Sequence, residues 1–253
     1  MMVAGSQCAE IEKGMVRRES RPPSLVVKAS VSLFFQSTSR RTASGTVRRT
    51  LRAASMVQPS KITIHADESC LGNQFKNRAN PGGAAGLVEF WGGEAWERRD
   101  FWQSESDTTN NRMAIRSAIE GLTLLKRPCM VRFVSDSQYL VRGMNEWVRG
   151  WKAKGWKRKG GPPENLTFWQ ELDKVAARHS VEWVWVRGHT GHPRNEYANY
   201  LATKAAKELI SSPGLVESGF ADWLESQRED RDRYLDFFED LPPGEDGFPP
   251  PGP

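Results

Sequence analysis

The order of strand-like and helix-like patterns limits the fold of this chain more than any other feature. Runs with strand character fall at 61–66, 82–90, 95–102, 130–134 and 181–186. Apolar residues at helical spacing predict helices at 111–126, 137–147, 166–177 and 193–209. Three consecutive strands followed by alternating strands and helices predict an α/β fold, with a mixed five-stranded sheet and helices on both faces.

Composition and charge divide the 253 residues into three parts. Residues 1–56 are rich in Ser, Thr and Arg and show little periodicity, which predicts a disordered basic extension. A transit peptide, or a translation start at Met56, are the alternatives for this part. Residues 57–210 carry the periodic patterns and are predicted to form the folded domain. Residues 211–253 form an acidic, Pro-rich tail, with three Lys/Arg against eleven Asp/Glu.

The tail also holds aromatic side chains between Phe220 and Phe238, among its acids. Three roles are open for it: packing as a helix on the domain, binding a partner that the sequence does not identify, or shielding the basic surface from non-specific contacts. A solvated appendage is the default interpretation.

Composition also excludes several classes of protein. No apolar run approaches the ~20 residues of a membrane span, so a membrane protein is excluded. Cys8, Cys70 and Cys129 lie far apart, which excludes a disulfide framework and a zinc finger and indicates a reducing compartment. We therefore expect a cytoplasmic monomer, with organellar targeting by residues 1–56 as the less favoured alternative. Residues 61–210 hold 23 Lys/Arg against 17 Asp/Glu, which favours a polyanionic partner.

Two aspartates stand at the ends of predicted strands, Asp67 after the first and Asp136 after the fourth. Catalytic groups in sheets of this type gather at strand ends. Five segments contain these aspartates or follow them in a fixed order, and they are 67–73, 108–113, 135–139, 147–157 and 183–193. Together they resemble ribonuclease H of the bacterial type-one kind, and the resemblance extends over residues 61–208.

The resemblance implies an endonuclease that hydrolyses the RNA strand of RNA–DNA hybrids with two Mg²⁺ ions, or Mn²⁺ in their place. In that family four carboxylates hold the metal ions, and Asp67 and Asp136 match two of them. The other two carboxylates are replaced here by Ala114 and by Asn199, whose amide oxygen can still assist. His189 matches the residue that handles protons near the attacking water.

Glu68 is the candidate for a compensating metal ligand. Neighbouring side chains on a strand point to opposite faces of the sheet. We therefore expect Glu68 to reach the metal ions only if the first strand bends or ends at this position.

The resemblance also implies a substrate surface that contacts the minor groove of the hybrid, where the 2′-hydroxyls identify the RNA strand. The matching residues are Cys70, Asn73, Thr109, Asn110, Asn111 and Gln138. A basic stretch with interleaved tryptophans matches the family's protrusion, which grips the phosphates of the DNA strand. The candidates there are Trp151, Lys152, Lys154 and Lys157.

Two functions follow from these residues. The first is a metal-dependent RNA–DNA hybrid endonuclease, with impaired activity because two carboxylates are replaced. The second is a protein of the same fold that binds RNA–DNA hybrid or double-stranded RNA without cutting it. The substrate surface favours the first function, whereas Ala114 and Asn199 favour the second.

Overall fold

A six-stranded mixed sheet forms the centre of the fold in the computed structural model, which describes residues 60–72, 79–188 and 190–250. The strands are β1 (Lys61–Cys70), β2 (Gly82–Trp91), β3 (Trp96–Glu105), β4 (Met130–Ser135), β5 (Ser180–Trp185) and β6 (Val216–Glu217). Their order across the sheet is β5-β4-β1-β2-β3-β6. Strand β4 runs parallel to β1 and β5, and the remaining pairs are antiparallel. The predicted α/β fold with a mixed sheet is confirmed.

The sheet has one strand more than the sequence predicts. Strand β6 comprises only Val216 and Glu217, which pair with Asp100 and Arg99 of β3. Two residues are too few to show a period-2 pattern, so the prediction of five strands missed this one.

The described residues form six α-helices: α1 (Asn110–Thr123), α2 (Gln138–Arg142), α3 (Val148–Ala153), α4 (Leu166–Ala176), α5 (Pro193–Glu208) and α6 (Phe220–Arg231). The single helix predicted at 137–147 is instead α2 followed by a π-helical turn, Gly143–Trp147, which leads into α3. Gly143 lets the indole of Trp169 approach closely, since a Cβ there would lie 2.1 Å from its Cη2 atom. None of the described helices is both long enough and apolar enough to cross a bilayer.

One face of the sheet is covered by α1 and α4 and is packed with apolar side chains. Ile64 of β1 and Phe133 of β4 point into this core, where they meet Ile115 of α1 and Trp169 of α4. All four side chains are fully buried. The helical periodicity of apolar residues in α1 and α4 is the pattern that predicts such a face.

Helix α5 crosses the other face over β1, β2 and β3. Gly83 allows this close approach, because a Cβ at that position would lie 2.0 Å from the carbonyl oxygen of Ala202 in α5. Helix α6 then packs its buried Phe220 and Leu224 against Tyr197 of α5. The first part of the aromatic stretch of the C-terminal part therefore folds onto the domain as a helix, α6.

The chain after α6 continues along the same face as far as β4. The indole nitrogen of Trp96 in β3 donates to the carbonyl oxygen of Leu241, at 2.7 Å. Further on, Asp246 pairs with Arg132 of β4 at 2.9 Å, and the ring of Phe248 lies 4.2 Å from the Arg132 guanidinium carbon. Residues 237–250, hereafter the C-terminal strap, thus extend over β4, which α5 does not cover. Residues 1–56 lie outside the described residues.

Candidate active site

Three carboxylates meet where β1 and β4 separate. Asp67 and Glu68 belong to β1, and Asp136 directly follows β4. One oxygen atom from each lies within 4.8 Å of the other two. Asp67 is buried and the other two are half-buried, so the group forms a recessed acidic cluster.

Glu68 joins this cluster although it is adjacent to Asp67 on the same strand. Pairing of β1 with β4 ends at His65 and Val134, whereas β1 stays paired with β2 as far as Cys70. Beyond His65 a gap therefore opens on the β4 side of β1, and both neighbouring carboxylates reach it. Successive side chains of β1 still point to opposite faces here, but this stretch has only one of its two neighbouring strands, so side chains from both faces can reach the open edge.

The cluster holds its acids in an environment that disfavours their charged forms. Burial, followed by the nearby charge of Asp136, raises the pKa of Asp67 to about 8. The pKa of Glu68 is raised well above its usual value by burial, and further by Asp67 and Asp136. A backbone hydrogen bond from Glu68 N to Asp67 Oδ1, 2.6 Å long, opposes the shift of Asp67. Three mutually repelling carboxylates are the arrangement that a divalent cation would neutralise.

The donor set fits a hard divalent cation. Glu68 Oε2 is buried and has no hydrogen-bond partner among the described residues, so an oxygen ligand is available there. Mg²⁺ and Mn²⁺ prefer such carboxylate oxygens and retain several waters, so a few acids suffice.

Asn195 is a residue of this site that the sequence analysis missed. Its Nδ2 atom donates to Asp67 Oδ2 at 3.2 Å, and both side chains are buried. Asn199, the residue that the family resemblance points to, lies one turn further along α5. Its Oδ1 accepts a hydrogen bond from Thr203 Oγ1 at 3.1 Å, and it lines a recess of about 940 Å³ between α5 and α6. Asn195 lies four residues before Asn199, and residues four apart lie on the same face of a helix. This spacing is the sequence signal from which Asn195 could have been predicted.

Ala114, the other replaced position, belongs to the apolar core beneath α1. It is fully buried in the same cluster as Ile115 and Ala118. No ligand atom is offered from this position, so the described carboxylates of the site are those of Asp67, Glu68 and Asp136.

The loop after β5 packs tightly against Asp136. A Cβ atom at Gly188 would lie 2.2 Å from Asp136 Oδ2, so a side chain at this position would displace the Asp136 carboxylate. The indole nitrogen of Trp185 donates to the backbone oxygen of Asp136 at 3.0 Å. His189, which follows Gly188, lies outside the described residues, as does Asn73.

The other candidate substrate residues lie at the end of β1 and at the starts of α1 and α2. Thr109 caps α1 by accepting a hydrogen bond from Arg112 N at 3.4 Å, and Asn110 and Asn111 form the exposed start of that helix. Gln138 is exposed at the start of α2, two residues after Asp136. Cys70 is half-buried at the end of β1, and its Sγ lies 3.5 Å from the carbonyl oxygen of Thr108. Polar side chains at α1 and α2 thus flank the ends of β1 and β4.

The basic protrusion consists of α3 and the loop that follows it. Trp151 is half-buried against the apolar core, and Lys154 and Lys157 are exposed. These three residues line a recess of about 450 Å³ together with Trp147 and Arg158. Lys152 is also exposed, and its Nζ pairs with Asp173 of α4 at 2.8 Å. The protrusion therefore presents a basic surface on an aromatic base, as a phosphate-binding element requires.

A family model described as RNase H matches residues 59–207, which is more than half of the chain. The chain belongs to the ribonuclease H family. The match covers all of β1 to β5 and α1 to α4, and α5 as far as its penultimate residue, so the three carboxylates fall within it.

Individual relatives agree with this membership. The chain is 44% identical over 153 residues to a ribonuclease H of Stutzerimonas stutzeri strain A1501, covering 60% of this chain and 95% of the relative. The crystal structure of LC9-RNase H1, described as a type 1 RNase H with the type 2 active-site motif, is 43% identical, with a TM-score of 0.67. That match covers 78% of this chain and 95% of LC9-RNase H1.

A foamy viral protease-reverse transcriptase in complex with an RNA/DNA hybrid shares the fold, at 14% identity and a TM-score of 0.52. The match covers 73% of this chain and 24% of the viral one.

This ribonuclease H is accordingly a hydrolase that cuts the RNA strand of RNA–DNA hybrids, as the family does. The family uses divalent metal ions, and the acidic cluster provides oxygen ligands for them.

Proposed function

We propose that Asp67, Glu68 and Asp136 form the metal-binding set with which this ribonuclease H hydrolyses the RNA strand, and that the metal is Mg²⁺. The convergence of their three carboxylates within 4.8 Å carries this proposal. The relative LC9-RNase H1 supports it, because its description shows that a type 1 enzyme can carry a different active-site motif. Bound ions supply activation of the attacking water and stabilisation of the leaving oxygen.

The residues of the chain divide the remaining tasks. Asn195 orients the Asp67 carboxylate. Asn199 can assist with its neutral amide oxygen only when that oxygen turns from Thr203, from which it accepts a hydrogen bond, towards the cluster. His189 accepts or donates the proton that is exchanged between the attacking water and the departing product, a role to which an imidazole is suited. The loss of one carboxylate charge at Asn199 weakens metal binding, so this site requires a higher metal concentration than one with four acids.

Two surfaces of the protein hold the substrate, one for the minor groove of the hybrid and one for the DNA strand. Cys70, Asn73 and the exposed starts of α1 and α2 contact the minor groove, where the 2′-hydroxyls distinguish RNA from DNA. The basic protrusion holds the DNA-strand phosphates, and such contacts carry no base specificity. We propose that the protein acts as a cytoplasmic monomer, which is consistent with its free, unpaired Cys70 and Cys129.

Cleavage of a labelled RNA–DNA hybrid by the full chain tests the proposal. We expect cutting with Mg²⁺ that disappears with EDTA and in Asp67→Asn, with little cutting of the same RNA as a single strand or as double-stranded RNA. Products ending in 5′-phosphate and 3′-hydroxyl are expected. Cleavage that persists in Asp67→Asn would contradict the assigned site.

The alternative is a protein that binds the hybrid or double-stranded RNA without cutting. The buried alanine at position 114 and the neutral Asn199 favour it, because both remove family carboxylates. Tight hybrid binding without cleavage in either Mg²⁺ or Mn²⁺ would establish this alternative and exclude the nuclease.

A further inference from the structure

The first turn of α5 contains a buried arginine directly beside Asn195. The side chain of Arg194 is only 3% exposed, and its Nε lies 2.6 Å from Oε2 of Glu89 in β2. Glu89 is completely buried and also pairs with Arg98 of β3, at 3.0 Å. A buried guanidinium cannot leave its partner without a large desolvation penalty, so this ion pair fixes the start of α5 to the sheet.

The C-terminal strap covers the other side of the same guanidinium. The ring of Phe237 lies 4.9 Å from the Arg194 guanidinium carbon, and Phe237 is only 3% exposed. The ring also contacts Phe220 of α6. An arginine held between a carboxylate and an aromatic face has few other positions open to it.

Further contacts keep Phe237 in place. Arg228 of α6 donates to the Phe237 carbonyl oxygen at 2.6 Å and pairs with Glu239 at 2.8 Å. Arg98 bonds to the Glu239 carbonyl oxygen and pairs with Asp240 at 3.1 Å. The strap is thus joined to the same buried ion cluster that holds Arg194.

We propose that Arg194, clamped between Glu89 and Phe237, is a positioning residue that sets Asn195 against the metal-binding Asp67. Residues 237–250 lie beyond the stretch 59–207 that matches the family model, so a segment outside that stretch orders this part of the active site. The inference rests on the proposed metal set of Asp67, Glu68 and Asp136, and it extends that set by the residues that hold it in place.

Two phenylalanines of the strap provide a matched pair of variants. Phe248 stacks on Arg132 as Phe237 stacks on Arg194, and it is similarly buried, but Arg132 lies in β4 and pairs with Glu182 and Asp246, neither of which belongs to α5. Phe237→Leu removes the aromatic face while keeping a buried apolar side chain, and Phe248→Leu makes the same change at the control position. Phe237→Tyr restores the ring.

The direct readout is the binding of Mn²⁺ to the full chain. It is measured through the electron paramagnetic resonance signal of the Mn²⁺ that remains free. We expect Phe237→Leu to raise the dissociation constant about threefold or more, less than the 10–100-fold typical of a direct partner of a metal ligand. Phe248→Leu should leave the constant unchanged, and Phe237→Tyr should return it to the wild-type value. Circular dichroism verifies that each variant is folded.

The outcomes separate this inference from the proposed function. Equal Mn²⁺ binding by Phe237→Leu and Phe248→Leu, or no recovery in Phe237→Tyr, would overturn the positioning role of Arg194 while leaving the metal site intact. Mn²⁺ binding that is the same in the wild type and in Asp67→Asn would instead overturn the metal site itself. Should Phe237→Leu fail to fold, Asp240→Asn gives the same test, because the exposed Asp240 carboxylate of the strap pairs with Arg98. We expect it to raise the dissociation constant of Mn²⁺ in the same direction, but by less.

Discussion

The two faces of the sheet are stabilised in different ways. Under α1 and α4 the contacts are apolar, and large side chains such as Phe133 and Trp169 fill the space. Under α5 and the C-terminal strap the sheet also buries Glu89, Arg194 and His65. Both faces contribute to stability, the first through apolar packing and the second through buried ion pairs, but only the second also positions the groups around Asp67.

Among the variants that test this difference between the two faces, Glu89→Gln is expected to change the free energy of unfolding most. It leaves Arg98 and Arg194 buried without their shared carboxylate, which should cost about 3–5 kcal/mol in the free energy of unfolding. The matched change on the apolar face, Leu122→Ala, should cost about 2–5 kcal/mol through the cavity it leaves. Urea denaturation gives both values. Only Glu89→Gln should also weaken Mn²⁺ binding; an equal weakening in Leu122→Ala would mean that the two faces do not differ as described.

The second prediction places a charge on the apolar face. Ala114→Glu restores the carboxylate of the family pattern, but the position is fully buried among apolar side chains. We expect it to destabilise the protein by about 3 kcal/mol without raising nuclease activity, because Glu68 already serves the site. Denaturation and cleavage assays measure the two effects. A clear gain in activity would show that the site lacks a carboxylate and that Glu68 does not supply it.

The third prediction concerns pH and the metal-free protein. The folded-state pKa of Asp67, about 8, lies above its unfolded value, so its stabilising contribution is complete below pH 4 and is lost as the pH rises towards 8. Between pH 6.5 and 8 this should lower the free energy of unfolding by about 2 kcal/mol. The pKa of Glu68 is also raised, so Glu68 adds a loss of stability in the same direction, whereas the pKa values of His65 and His192 are lowered and their effect falls below this window.

Thermal unfolding at several pH values checks this dependence, with Asp67→Asn as the control. The control should show a flatter profile, and Mg²⁺ should flatten the profile of the wild type. Identical pH profiles of stability for the wild type and Asp67→Asn in the absence of metal would show that Asp67 does not cause the pH dependence.

The smallest expected effect on stability lies at the protrusion, away from both faces of the sheet. Neutralising Lys154 and Lys157 to Ala should change the free energy of unfolding by less than about 0.5 kcal/mol, because both side chains are exposed. Hybrid binding should weaken, and its salt dependence should flatten by about one unit of slope for each phosphate that is no longer neutralised. Lys204→Ala and Lys207→Ala on α5 are the matched controls. Unchanged hybrid binding in the protrusion variants would exclude this surface from substrate binding.

The sequence predicted the strands and the main helices because their apolar residues repeat with the period of each element. It also predicted that Asp136 follows the end of the fourth strand, and the family resemblance indicated the chemistry of Asp67 and Asp136. The prediction that Asp67 stands at the end of the first strand was wrong, because β1 continues to Cys70 and only its pairing with β4 has ended before Asp67. It could not predict β6, which is too short to show a period. It left the position of Glu68 dependent on a bend or an end of the first strand, because alternation along a strand does not indicate where a neighbouring strand stops.

The contribution of the C-terminal part was also beyond prediction from the sequence. Phe237 and Phe238 are adjacent and chemically identical, yet Phe237 is buried on Arg194 while Phe238 is 65% exposed. Which of them packs depends on where α6 ends and on the buried charges that it meets. Asn195 was missed for a similar reason, since a polar residue in a helix shows its role only when its partner across the fold is known.

The central claim is that Glu68 supplies the third carboxylate of the active site, and cleavage of an RNA–DNA hybrid by Glu68→Gln tests it most directly. This variant keeps the size of the side chain and removes its charge. The account predicts that cleavage in Mg²⁺ falls by about a hundredfold or more, while the variant still binds the hybrid. Cleavage at the wild-type rate and at the wild-type Mg²⁺ concentration would contradict it.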